Sequence, residues 1–148
     1  DPIGAPVTEN HDLATVAAAI PKAVICLFSA LQFHELTNEW PREIWIALDR
    51  QSRVSPSLRL PLRVHRFSKA TLEFGIEEHC IEGVIVRITS SAKTIADCFR
   101  FRNRYGTDVA VEALRDYLKR RLPLEPLHQA ASVCRVEKIM RPYLEALL

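Results

Sequence analysis

The sequence predicts an α+β fold: a small mixed or antiparallel sheet of about four strands flanked by helices, with a helical C-terminal half. Three observations lead there. Apolar residues recur at helical spacing up to residue 36 and again from residue 91 onward. Between them, residues 42–89 hold short β-rich runs bounded by proline, glycine and aspartate. The two kinds of element are segregated along the chain, which argues against a βαβ array. The 148 residues suit one domain, which at this size buries roughly 68–70% of the surface its unfolded chain exposes.

Residues 1–11, DPIGAPVTENH, read as a linker or the tail of a preceding unit. Asp12 caps a short helix over 13–20, with Leu13, Val16, Ala17 and Ile20 on one side and Pro21 at its end. Residues 23–36, AVICLFSALQFHEL, are apolar nearly all round and predict a buried helix, although Val24, Ile25 and Cys26 also suit the start of a strand. Strands follow over 42–48 and 62–67, with a proline-broken loop between them. In the second, Leu62, Val64 and Arg66 share one face and Arg63, His65 and Phe67 the other, a mixture that suits an edge strand. Strands over 73–81 and 84–89 flank Glu82-Gly83, a tight hairpin turn.

Ser90 or Ser91 caps the next helix, which runs to about Arg104 with Ala92, Ile95, Ala96, Cys98 and Phe99 inward. Gly106 supplies the left-handed stop, and Thr107 and Asp108 open the following helix. Residues 127–148 read as helix in two pieces, broken at Pro142.

Apolar residues make up 48% of the chain and charged residues 26%, an ordinary balance for a globular protein. No apolar run reaches the roughly 18 residues that suggest a membrane span, and no signal peptide is visible. Cys26, Cys80, Cys98 and Cys134 form no C-x-x-C pair and each lies in an apolar run. Four reduced, buried thiols in a cytoplasmic protein are expected. Met140 is the one methionine and residue 1 is aspartate, so the chain is expected to be a piece of a longer protein.

Phosphate loops, dinucleotide fingerprints, H-E-x-x-H and G-x-S-x-G are all absent. Glu77, Glu78, His79 and Cys80 cluster in sequence. On a strand, however, Glu77 and His79 point away from Glu78 and Cys80, so neither a metal site nor a cofactor is expected. Asp97 is the one acid inside an apolar helix. A catalytic carboxylate is one reading; a structural partner for Lys93 at i−4 and Arg100 at i+3 is the simpler one.

The net charge is only +2, but the charges are sorted. Arg50, Arg53, Arg59, Arg63, Arg66 and Lys69 span a stretch without an acid. Lys93, Arg100, Arg102 and Arg104 follow around a helical elbow, and Lys119, Arg120 and Arg121 make a third run. Taken singly, each run is a solvated loop or helix end. If they converge, they form an electropositive face suited to phosphates or an acidic partner. Arg50, Arg53, Arg63, Arg66, Lys93, Arg100, Arg102 and Arg104 are therefore the candidate contacts for nucleic acid or a partner.

The stretch SSAKTIADCFRFRNRYGTDVAVEAL resembles the C-terminal domain of AbiEi-like antitoxins, from the abortive-infection AbiE type IV toxin–antitoxin systems. The matching positions are Ser91, Lys93, Thr94, Ile95 and Asp97, then Arg102, Arg104 and Gly106, then Glu112, Ala113 and Leu114. Residues 22–48 and 75–94 resemble the family's S-A-L-x-x-H-x-L segment with its following strand, and its strand pair. The resemblance covers roughly residues 12–148. It implies an antitoxin and transcriptional regulator without catalysis of its own, countering a nucleotidyltransferase-like toxin and assisting autorepression. The family's winged helix-turn-helix, which binds operator DNA, would precede this stretch, with residues 1–11 as its remnant. Partners would then be nucleic acid and the toxin or its RNA target, with no membrane. The competing readings are a metal-dependent enzyme domain acting on nucleic acid or nucleotides through Asp97 and residues 77–79, and a protein–protein interaction module.

Overall fold

The computed structural model describes residues 10–148 and has an α+β fold. Its elements, in chain order, are α1 (His11–Ala19), β1 (Val24–Ile25), α2 (Leu27–Phe33), β2 (Ile44–Leu48), β3 (Leu62–Arg66), α3 (Lys69–Glu73), β4 (Ile76–Ile81), β5 (Val84–Thr89), α4 (Ser91–Arg100), α5 (Arg102–Tyr105), α6 (Thr107–Lys119), α7 (Leu124–Val133) and α8 (Glu137–Leu147). Of the linker expected over 1–11, residues 1–9 lie outside the described residues, and His11 already opens α1.

The sheet is mixed and has five strands, in the order β3-β2-β1-β5-β4. β1 runs antiparallel to β2 and parallel to β5; β2 pairs parallel with β3, and β4 antiparallel with β5. Alternate strand residues go to opposite faces. Val24, Trp45, Ala47 and Phe67 enter one core with α4, α6, α7 and α8. Ile25, Ile44, Ile46, Leu48, Val86 and Ile88 enter a second, with α1 against it. β3 is an edge strand, as its mixed faces imply, and its inward face is the one carrying His65 and Phe67.

The fifth strand is β1, where the sequence predicts one helix over 23–36. Two residues are too few for an alternation to show. β1 ends where Leu27, at φ 48, turns the chain into α2. A buried leucine in that region is strained by roughly 1–2 kcal/mol. α2 then continues the line of β1 between β2 and β5. Ser29 Oγ accepts the Trp45 backbone N–H at 2.8 Å, and His34 Nε2 donates to the Thr89 carbonyl at 2.8 Å. The strand groups that β1 is too short to pair are thereby satisfied by side chains of α2. Burial holds the His34 imidazole below its ordinary pKa, consistent with a neutral donor.

The hairpin turn is as predicted, with φ 52 at Glu82 and φ 81 at Gly83, the two positive values a two-residue turn favours. The strand expected over 73–81 is shorter, because Ser68 caps α3 through a hydrogen bond to the Thr71 N–H. Ser90 caps α4 in the same way, at 3.1 Å to the Lys93 N–H. α4 stops at Arg100 and α5 restarts after Phe101. Gly106 has the expected positive φ of 95, but Thr107 is the first residue of α6 and its hydroxyl caps nothing.

The C-terminal break is at Arg135, where the sequence suggested Pro142. Arg135 sits at φ 59; its N–H reaches the Ser132 carbonyl, and the Val136 N–H reaches the Ala131 carbonyl. This is a Schellman stop with arginine in the position usually held by glycine. α2 and α6 end in the same way at Glu35 and Arg121. Pro142 lies inside α8. It forfeits the bond to the Lys138 carbonyl, on an exposed residue where water can replace it, while Met140 and Leu144 stay buried.

Cys26, Cys98 and Cys134 are buried, but Cys80 is exposed, because β4 is an edge strand and its alternation turns that side chain outward. All four are free. Burial, aided by the Asp97 carboxylate, raises the Cys26 and Cys98 thiols well above their usual pKa and the Cys134 thiol to about 12. Native protein treated with a chromogenic disulfide at neutral pH should therefore release one thiol equivalent quickly, with the other three following only on denaturation. Rapid reaction of a second thiol in native protein would contradict the buried placement.

Candidate nucleic-acid interface

α4 is the central helix, packed against α2, α5, α6 and α7. Every residue from Ala92 to Phe99 is buried, including Lys93 and Asp97. The charge pair expected from the sequence is present, and it is an interior one. Lys93 Nζ donates to Asp97 Oδ2 at 2.8 Å, with side-chain exposures of 1% and 0%. The other carboxylate oxygen accepts from Arg100 Nη2 at 3.1 Å and from Cys134 Sγ at 3.4 Å. Lys93 Nζ lies 5.0 Å from the centre of the Phe67 ring. The Arg100 guanidinium lies against both Phe67 and Phe101, at 4.4 and 4.5 Å from their ring centres. Lys93 also fixes a neighbour. A Cβ on Gly75, which has φ +71, would come within 2.7 Å of the Lys93 Cβ.

This removes Lys93 from the candidate contacts, since its ammonium faces the core. Arg100 is largely committed to Asp97 and the two rings, with 24% of its side chain exposed. Arg66 pins the 49–52 turn by donating to the Asp49 carbonyl at 2.9 Å and to the Ser52 carbonyl. Arg102 donates to the Phe99 carbonyl at 2.9 Å. In the third run, Arg120 clamps α6 to the end of α2 through the His34 and Glu35 carbonyls and pairs with Asp116. Arg50 and Arg53 are exposed on the loop after β2.

Two candidates from different runs approach the same aromatic cluster. Arg63, on β3, lies 5.2 Å from the centre of the Trp45 ring and 3.5 Å from the Glu43 carboxylate. Arg104, on α5, lies 5.1 Å from the centre of the Tyr105 ring. Trp45 and Tyr105 meet edge to face at 4.7 Å, and both touch His65. His65 Nε2 shares a 2.7 Å hydrogen bond with the Tyr105 hydroxyl. Burial holds the His65 imidazole below its ordinary pKa, and the nearby charges of Arg104 and Arg63 push it the same way. The histidine is thus a neutral spacer between two cations. Its neighbours Trp45 and Tyr105 were missed as site residues. The alternation over 62–67 sorts the faces of β3 but does not point to either of them.

The carboxylates do not converge. Asp97 is enclosed and doubly paired, Glu77 pairs with His79 at 2.9 Å, and Glu78 is exposed on the other face of β4. Among the described residues, no group of three or more His, Cys, Asp or Glu side chains is placed to hold a metal ion. No family model matches the chain, and no curated protein matches it.

Breaking the interior cluster should be severe. Asp97→Asn leaves Lys93 charged, buried and without its anion, a defect that usually destabilises by about 3–5 kcal/mol. Denaturant unfolding should show that loss, and the double replacement Lys93→Met/Asp97→Leu should recover much of it. An Asp97→Asn loss below about 1 kcal/mol, within the range of surface pairs, would show the pair to be solvated.

Proposed function

We propose that this chain is the C-terminal domain of an AbiEi-like antitoxin and transcriptional regulator, and that it binds nucleic-acid backbone through Arg63 and Arg104. The supporting observation is the approach of those two exposed arginines, one from the edge strand and one from the elbow, to a single, largely buried aromatic cluster. A pair of exposed guanidinium groups can bridge phosphates without reading bases, giving affinity without sequence preference. Arg102 lies two residues from Arg104 on α5, and Arg50 and Arg53 are exposed on the loop after β2. The motif order from Ser91 to Leu114 supports the antitoxin assignment.

In this reading the domain performs no catalysis. It counters a nucleotidyltransferase-like toxin and strengthens autorepression by a winged helix-turn-helix, and it works in the cytoplasm. Among the described residues, no helix is long and apolar enough to cross a membrane. Type IV antitoxins need no stable complex with their toxins, so a shared RNA target is the natural meeting point.

The decisive experiment is a gel shift at low salt with duplex DNA and RNA of unrelated sequences. Wild type should bind both weakly. Arg63→Glu/Arg104→Glu should weaken binding at least tenfold across all sequences while the fold survives, because exposed substitutions usually change stability by only about 0.5 kcal/mol each. Absence of wild-type binding would refute the backbone-binding role. Failure of the chain to relieve growth arrest by a co-expressed nucleotidyltransferase toxin from the adjacent gene would refute the antitoxin role.

A further inference from the structure

Trp40 is 69% exposed, far more than any other aromatic side chain among the described residues. It lies on the connection between α2 and β2, followed at once by Pro41, and proline restricts the backbone of the residue before it. A large ring on a stiffened backbone loses little freedom on binding. Trp40, Pro41, Phe28 and Trp45 line a cleft of about 160 Å³, together with Arg42, Glu39 and Glu43. The inner end is rigid. Phe28 meets Trp45 edge to face at 4.8 Å, and Arg63 lies over Trp45. The cleft therefore adjoins the arginine pair described above, through Trp45 and Tyr105.

We infer that this cleft takes one unpaired base of a single-stranded nucleic acid, stacked on Trp40. The inference rests on the nucleic-acid reading above and names the form of nucleic acid bound. The cleft accommodates a single planar ring rather than a helix. Bases inside a duplex already have both faces stacked, so only an unpaired base can offer one to an indole. Charge fits the same occupant: Arg42 and Arg63 supply cations for the flanking phosphates. Glu43 is paired with Arg63 at 3.5 Å, and Glu39 would repel phosphate from the cleft itself while accepting hydrogen bonds from base N–H groups. Stacking is tolerant of base identity because every base has a π-face.

The test is a fluorescence-anisotropy titration of labelled oligo-dT, oligo-rU and a duplex of equal length with the intact chain, with wild-type tryptophan emission recorded alongside. Both tryptophans line the cleft, so affinities are read from the label, and quenching reports entry of a base into the cleft. Single strands should bind more tightly than duplex and quench the emission. Trp40→Ala should lose roughly tenfold in single-strand affinity and leave duplex affinity unchanged, whereas Trp40→Phe should keep most of it. Equal loss for dT and rU places the contact on the base, and loss for one alone assigns the site to that nucleic acid. Unchanged single-strand affinity in Trp40→Ala, with duplex binding intact, would overturn this inference and leave the backbone-binding role standing; Trp40 would then serve a protein contact. No binding of either form by wild type would remove both.

Discussion

The structure depends on one buried charge cluster. Lys93, Asp97 and Arg100 lie along one side of α4, and the carboxylate between the two cations is fully enclosed. A buried ion pair is weak support for stability in itself, because desolvation offsets most of the attraction. Its effect is on placement. The pair moves as one with α4, so a slip or rotation of the helix would keep the ion pair but carry it away from Phe67 and Cys134 and drive Lys93 off the space that Gly75 leaves open. Phe67 is held against both cations, Gly75 must lack a side chain where Lys93 passes, and Cys134 of α7 donates to the same carboxylate. The strand edge, the β4 entry and the C-terminal helices are thus all fitted to one constellation.

That constellation also divides the positive charge. Residues 93–104 read as one basic run, but the inner half builds the core and the outer half reaches solvent. Arg100 marks the boundary, with its guanidinium against two rings. Beyond it, α5 carries Arg104 to the aromatic cluster that Arg63 approaches from β3. Arg66 and Arg120 are likewise committed to backbone carbonyls. The surface available for binding phosphate is accordingly smaller and more localised than the sequence count of basic residues suggests.

The fold class, the Glu82-Gly83 hairpin, the Ser90 cap and the edge position of β3 were legible in the sequence because each rests on local chemistry. Most of the missed features share a different cause. Three helices stop at Glu35, Arg121 and Arg135, left-handed residues with side chains, where a sequence reader looks for glycine. In each case the following residue, Leu36, Leu122 or Val136, is apolar and packs against the core, and that packing offsets the backbone strain. β1 is too short to show a period, and α3 is a single turn set by Ser68. The burial of Lys93 and Asp97 was hidden because an i, i+4 pair reads the same whether solvated or enclosed; tertiary packing of α4 on four other helices decides between them. Trp40 carries no periodicity at all.

The most direct test of this division of charge is the salt dependence of nucleic-acid affinity. Each phosphate contact contributes nearly one unit to the slope of log affinity against log salt. Singly neutralised Arg63→Gln and Arg104→Gln should each flatten that slope by about one, while Lys119→Gln, in the third run, should leave it at the wild-type value. Wild-type slopes for both Arg63→Gln and Arg104→Gln would contradict the account.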